Sequence, residues 1–212
     1  MAIDRIHDLY TRITDQPTSI MKKNINTAKR ILILAILALS MGCEPEMELV
    51  QRFTIQKGEH YATPRIVETL QRNRLVFEAR FNESAIYDLG DPASQTNKNK
   101  LLGFADCNAA HHDNSARFAW QWMNNQLEIF AYCYVNGERQ EKFVGVVEIN
   151  KYNRYEIELT DTNYIFYLNN NEPVSMERGD VCTTGVYYKL WPYFGGSTPA
   201  PHTVHVSVKM IY

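Results

Sequence analysis

The 212-residue sequence is short of several things at once, and each shortage narrows what the chain can be. Its apolar run, residues 31–41 (ILILAILALSM), falls well below the roughly 20 residues that a membrane-spanning helix needs. It has no excess of basic charge: 22 Lys and Arg stand against 24 Asp and Glu, and 16 against 21 after Gly42. A sequence-independent nucleic-acid binder carries a basic footprint, so no nucleic acid is expected as a partner. No Cys-x-x-Cys pair occurs, which argues against a Cys-rich structural zinc site. Nor is there a Gly-rich phosphate loop, a G-x-S-x-G elbow or a His-Glu-x-x-His helix. A long helical period and an internal repeat are missing too.

Aromatic residues and short alternating segments are what the chain does have, with 13 Tyr, 9 Phe and 3 Trp. Flat rings pack well on a pleated surface, and they also stack on sugar faces. The excess therefore fits a β-rich core or a carbohydrate surface equally. In residues 74–81, Leu75, Phe77, Ala79 and Phe81 alternate with polar neighbours, the pattern of a half-buried strand. Residues 50–55 and 101–105 also read as strands, 65–73 as a short helix and 88–100 as a loop. Residues 116–122 and 127–135 flank Asn124-Asn125, and Asn136-Gly137 then leads into 138–149. Asn and Gly tolerate the positive φ that tight type I′ hairpins require. With 154–160 and 164–168 these segments read as a five-stranded antiparallel meander. Residues 185–191 and 203–211 supply two more strands.

Many short strands with frequent turns predict an all-β, antiparallel two-sheet β-sandwich over residues 50–212. The meander, the length and the closing strand resemble the concanavalin A-like jelly roll of lectins and glucanases. That resemblance implies a final strand lying centrally, beside an early one. Residues 101–122, with Tyr193-Phe194-Gly195-Gly196 and Pro199-Ala200-Pro201-His202, are also similar to a group of uncharacterised exported bacterial proteins. That likeness implies no activity.

The apolar run has the length of a signal-peptide core and follows Lys22, Lys23, Lys29 and Arg30. It ends in Leu39-Ser40-Met41-Gly42-Cys43, which resembles a bacterial lipobox. The resemblance implies cleavage before Cys43 and lipidation of that residue, with the membrane as a partner through the anchor. Ser40 and Met41 depart from the usual lipobox residues. The alternative is an ordinary signal peptide, or an anchor helix with an incidental Cys. The domain plan is an over-called start or an unusual extension over 1–20, a signal peptide over 21–42, an acidic tether over 43–49 and the sandwich over 50–212. The tether, with Glu44, Glu46 and Glu48, resembles export signals that send some lipoproteins to the outer membrane or cell surface. It reads equally as a solvated linker.

Four features carry candidate chemistry. Cys107 and Cys182 both sit near loops and are the best candidate disulfide once Cys43 is set aside, and Cys133 reads as a buried thiol. Asp106, His111, His112 and Asp113 form a polar run, and His60 and His202 lie in other loop-like segments. If these converged they would bind Ca²⁺ or another divalent metal; otherwise they are polar loop residues. Phe118, Trp120 and Trp122 share one face of their strand, and Phe130, Tyr132 and Tyr134 share one face of the next. Were both rows on one concave face, they would form a sugar-stacking platform, with Arg117, Gln121, Glu128 and Arg139 reaching hydroxyls. The alternative places them in the core. Trp191 and Tyr193 are expected at the surface because Pro and Gly surround them.

Glu156, Glu158 and Asp161 are the fourth feature. Their Glu-x-Glu-x-x-Asp spacing is similar to the Glu-x-Asp-x-x-Glu of jelly-roll glucanases, whose retaining mechanism needs two carboxyls roughly 5–5.5 Å apart. They read more simply as the solvent face of a strand. A lyase would draw on His111, His112, Tyr132, Arg117 and Asn114. The sequence thus favours a lipid-anchored binder of a glycan or another extracellular ligand over an enzyme. A polysaccharide-cleaving enzyme and a structural lipoprotein are the alternatives.

Overall fold

The computed structural model describes residues 49–71, 73–180, 182 and 184–212. The extension, the signal segment, Cys43 and the tether as far as Glu48 lie outside the described residues. Twelve strands form two antiparallel sheets. The seven-stranded sheet runs β10 (Val174–Glu177), β9 (Asn163–Leu168), β8 (Asn153–Leu159), β3 (Arg74–Phe81), β12 (Val204–Ile211), β1 (Val50–Ile55) and β2 (Ala62–Thr63). The five-stranded sheet runs β11 (Lys189–Leu190), β4 (Asn99–Ala105), β5 (Ser115–Met123), β6 (Gln126–Val135) and β7 (Glu138–Val147).

Alternation explains why these segments are strands. On β3 the odd positions 75 to 81 are buried and the even positions lean outward. A period of two puts one face of the sheet in the core. Aromatic rings fill the space between the sheets. Phe77 stacks on Tyr155 at 5.1 Å, and Phe118 meets Tyr155 and Phe166 edge-on at 5.1 Å. Trp120 packs among Phe81, Tyr87 and Phe194. The closing strand β12 lies between β1 and β3, as the jelly-roll resemblance implies.

Four expectations need correction. The helix expected over 65–73 is absent among the described residues, because the backbone there pairs with the chain at 187–189: Leu70 N donates to Tyr187 O and Glu68 O accepts from Lys189 N. The loop over 88–100 holds a one-turn helix, α1 (Pro92–Gln95), capped by the Asp91 carboxylate, and β4 already begins at Asn99. The meander is divided between the sheets. β5, β6 and β7 stay in one, while β8, β9 and the unforeseen β10 belong to the other. Asn150, at φ 66°, turns the chain across, and its N–H donates to Phe81 O. Residues 185–191 contribute only β11, because residues 186–188 exchange irregular backbone bonds with Leu70, Ala105 and Asn108.

The β4–β5 connection is tied down from two sides. Cys107 and Cys182 are joined by a disulfide with S–S 1.99 Å, and Cys133 is a buried free thiol on the core face of β6. Asp106 is fully buried and ion-paired to Arg178 at 2.8 Å.

Candidate functional site

The register of the β5–β6 hairpin decides which side chains share a face. Asn124 and Asn125, both at positive φ, form a two-residue turn. The pairing that follows sets Arg117 opposite Tyr132, Gln121 opposite Glu128 and Trp120 opposite Ile129. Directly opposed residues on antiparallel strands lie on the same side of the sheet. Arg117, Tyr132 and Tyr134 therefore face outward. Phe118 and Trp120 turn into the core, with no exposure, and Trp122 packs against the core's edge. The two aromatic rows lie on opposite faces, so Trp120 and Trp122 are not part of a ligand platform.

A groove of about 480 Å³ opens on the outer face of the five-stranded sheet. Its floor is Lys100 of β4, Arg117 of β5, and Tyr132 and Tyr134 of β6. One wall is the β4–β5 connection, which presents His111 and His112. The other comprises Tyr61, Pro64 and Arg65 with Trp191, Tyr193 and Gly195. Four Tyr, one Trp, two His and six Lys or Arg line the groove, and no Asp or Glu does among the described residues.

Rings run along the walls. His111 and His112 are 4.1 Å apart, His112 is 5.0 Å from Tyr134, and Tyr134 is 6.0 Å from Tyr132. Opposite, Tyr61 meets Tyr193 edge-on at 5.0 Å. Lys100 Nζ lies 4.9 Å from the Tyr132 ring and 5.6 Å from that of Tyr193. It donates to Lys98 O at 2.9 Å and to Gly195 O at 3.0 Å. Burial, followed by the charges of Arg117 and Arg139, brings the Lys100 ammonium down to about 8. Burial also lowers His111, with His112 and Arg117 adding to the effect, and raises the phenols of Tyr132 and Tyr193.

Arg117 is 8% exposed, and its guanidinium is brought down to about 10 by burial. Nη2 donates to Trp191 O at 2.9 Å, while Nε is buried without a partner. Gly103 makes this placement feasible. At the β4 bulge, an added Cβ would stand 2.0 Å from Ala116 O and 2.7 Å from Arg117 Cγ.

The groove thus gathers Arg117, Tyr132, Tyr134, Trp191, Tyr193, His111 and His112. The proposed metal set does not converge. Both Asp106 oxygens are occupied by Arg178, with Cys107 N and the Tyr164 hydroxyl as further donors. The rings of His60 and His202 contact Phe194 O and Ser84 O, each at 2.9 Å. Asp113 is exposed in the turn before Asn114. Among the described residues, no three His, Cys, Asp or Glu are placed to hold a metal ion.

The carboxylate pair is also elsewhere. Glu156 and Glu158 lie on β8 of the other sheet, held by Arg74 at 3.1 and 3.2 Å. Asp161 is exposed in the β8–β9 turn. Lys98, Lys100, Arg65, Lys189 and Tyr61 belong to the groove but were not singled out from the sequence. The signal for two of them was Lys98-Asn99-Lys100, two cations alternating into an apolar strand.

No family model matches the chain, and no curated protein sequence matches it. Solved structures do. Alginate lyase AlyC3 superposes with a TM-score of 0.51 at 12% identity, over 78% of this chain and 75% of that one. A glycoside hydrolase family 16 endo-glucanase from Bacteroides ovatus, in complex with G4G3G-2F-DNP, gives 0.50 at 9% identity, over 80% and 84%. A mixed linkage glucan family 16 enzyme of the same organism, in complex with the product G4G4G3G, gives 0.50 at 8% over the same shares. At such identities the likeness speaks for architecture: this chain is a concanavalin A-like jelly-roll β-sandwich, the fold of these polysaccharide-cleaving enzymes.

Proposed function

We propose that the chain is an exported lipoprotein, anchored through Cys43, whose outer groove binds a polysaccharide chain. The observation that carries this reading is the groove itself. Four Tyr and a Trp line an open cleft beside buried, polar-tipped side chains. Ligand sites combine apolar and aromatic walls with a few placed polar groups in this way. The fold neighbours, named as an alginate lyase and a family 16 endo-glucanase, support a glycan as the ligand class.

Two-carboxylate hydrolysis finds no support here. It needs an acid and a base or nucleophile flanking the sugar bond, and the described lining holds neither. A second reading is a lyase acting by β-elimination, which needs a proton acceptor, a proton donor and a neutralising cation. Lys100, with its ammonium brought down to about 8, lies between Tyr132 and Tyr193 and beside Arg117, and these are residue types suited to that chemistry.

The test is incubation of the full-length protein with a panel of polysaccharides. Binding is read by calorimetry and cleavage by reducing ends and new absorbance of unsaturated uronates. Binding without product supports the leading reading, unsaturated product supports the second, and no binding to any glycan contradicts both. Globomycin treatment, or Cys43→Ala, should abolish lipid attachment and membrane retention. Unchanged retention would contradict the anchor.

A further inference from the structure

The charge of the groove is out of keeping with the rest of the domain. After Gly42 the sequence carries 16 basic and 21 acidic residues, yet the groove takes six of the basic ones and none of the acidic among the described residues. Some of this charge is answered at the rim. Lys189 pairs with Glu68 at 2.9 Å and Lys98 with Glu141 at 3.4 Å. On the floor no carboxylate touches it: Glu141, which pairs with Lys98, acts on Lys100 only through space. Arg117 is bonded to a carbonyl through Nη2, and its Nε is buried with no partner. Lys100 reaches only backbone carbonyls and the faces of two tyrosines.

A buried cation without a counter-charge is unfavourable, because desolvation is not offset by an ion pair. A neutral sugar chain needs no such arrangement, since its hydroxyls are met by ordinary donors and acceptors. A planar carboxylate matches it. It accepts charge-assisted bonds from a guanidinium fork and supplies the missing counter-charge to Arg117 and Lys100 together. Tyr132 and Tyr193 flank the same point and line the groove there.

We propose that the groove is specific for a carboxylated glycan, a polyuronate, with Arg117 and Lys100 as the pair that receives one uronate carboxylate. This rests on the groove being a glycan site, and it selects among glycans. Arg139 extends the positive lining, and His111 and His112 place polar rings beside it.

The test uses the full-length protein in detergent, titrated by calorimetry at fixed salt. Its ligands are polygalacturonate, polymannuronate, methyl-esterified polygalacturonate, laminarin and a sulfated galactan. The ester keeps the backbone and removes the charge. Binding of a polyuronate should exceed that of the ester and of laminarin by about 30-fold or more, the scale expected when a buried charge loses its partner. Arg117→Lys, which keeps charge and loses the fork, should weaken polyuronate binding about tenfold or more, and Lys100→Gln should do the same. Should Arg117→Lys fail to fold, Lys100→Gln still decides. Equal binding of ester and acid would overturn the carboxylate proposal while leaving a glycan site standing. Polyuronate and sulfated galactan binding alike, with neither variant affected, would overturn it as simple charge attraction. No glycan binding at all would remove the reading beneath it.

Discussion

At the residue scale, the groove holds its charge against the fold's own stability. Lys100 sits at about 8 when folded against its usual 10.5, and burial is the main cause. Between those values the unfolded chain binds the extra proton, so this residue's contribution to stability improves as pH rises through that window. Below pH 8 its penalty is present in full. Lys100→Met should therefore stabilise the protein at pH 7, by on the order of 2 kcal/mol after allowing for the two carbonyls that lose a donor. The gain should fade as the pH approaches 10.5, read by denaturant melts across pH 6 to 10. The same variant should lose glycan binding. A pH-independent or reversed effect on stability would mean that Lys100 is not desolvated as described. Destabilised residues at a binding surface are a recurrent trade of stability for function.

At the element scale, β4 and its neighbours set the geometry. Gly103 allows β5 to pass close at the bulge, and any side chain there would meet backbone at 2.0 Å. Gly103→Ala should destabilise the domain by about 1–3 kcal/mol, read by thermal melts, and should weaken ligand binding further by displacing Arg117. The disulfide between Cys107 and Cys182 links positions 75 residues apart, and it restrains the connection that carries His111 and His112. Loop-closure entropy for that span is about 4 kcal/mol, so reduction should lower the unfolding midpoint markedly. An unchanged midpoint under a strong reductant would contradict a structural role.

Much of this was legible beforehand. Alternation in residues 74–81 and the Asn124-Asn125 turn mark strands and a hairpin that the structure contains. The face of each aromatic row was legible too, had the turn been carried through. A two-residue loop joining Met123 to Gln126 sets Trp120 against Ile129 and Arg117 against Tyr132, so the two rows cannot share a face. Other features were not. The break of the meander at Asn150, the extended path of residues 65–71 and the approach of residues 189–196 to Lys100 are tertiary choices. No local period records them.

At the scale of the whole molecule, charge is partitioned rather than merely summed. The seven-stranded sheet pairs Glu156 and Glu158 with Arg74 and Arg154, and Glu78 with Lys209. The five-stranded sheet leaves Arg117 and Lys100 with no carboxylate in contact among the described residues of the groove, and Glu141 acts on Lys100 only from a distance. A net acidic chain excluded a basic footprint at large, but it said nothing of one concentrated in a single cleft. The domain's overall negative charge also predicts that polyuronate binding depends on this cleft and not on general attraction.

The most direct test is a structure of the protein with a uronate oligosaccharide bound. It should show sugar rings against Tyr132 and Tyr193, and a carboxylate within hydrogen-bond distance of Arg117. An oligosaccharide lying on the outer face of the seven-stranded sheet, or making no contact with those residues, would contradict the account.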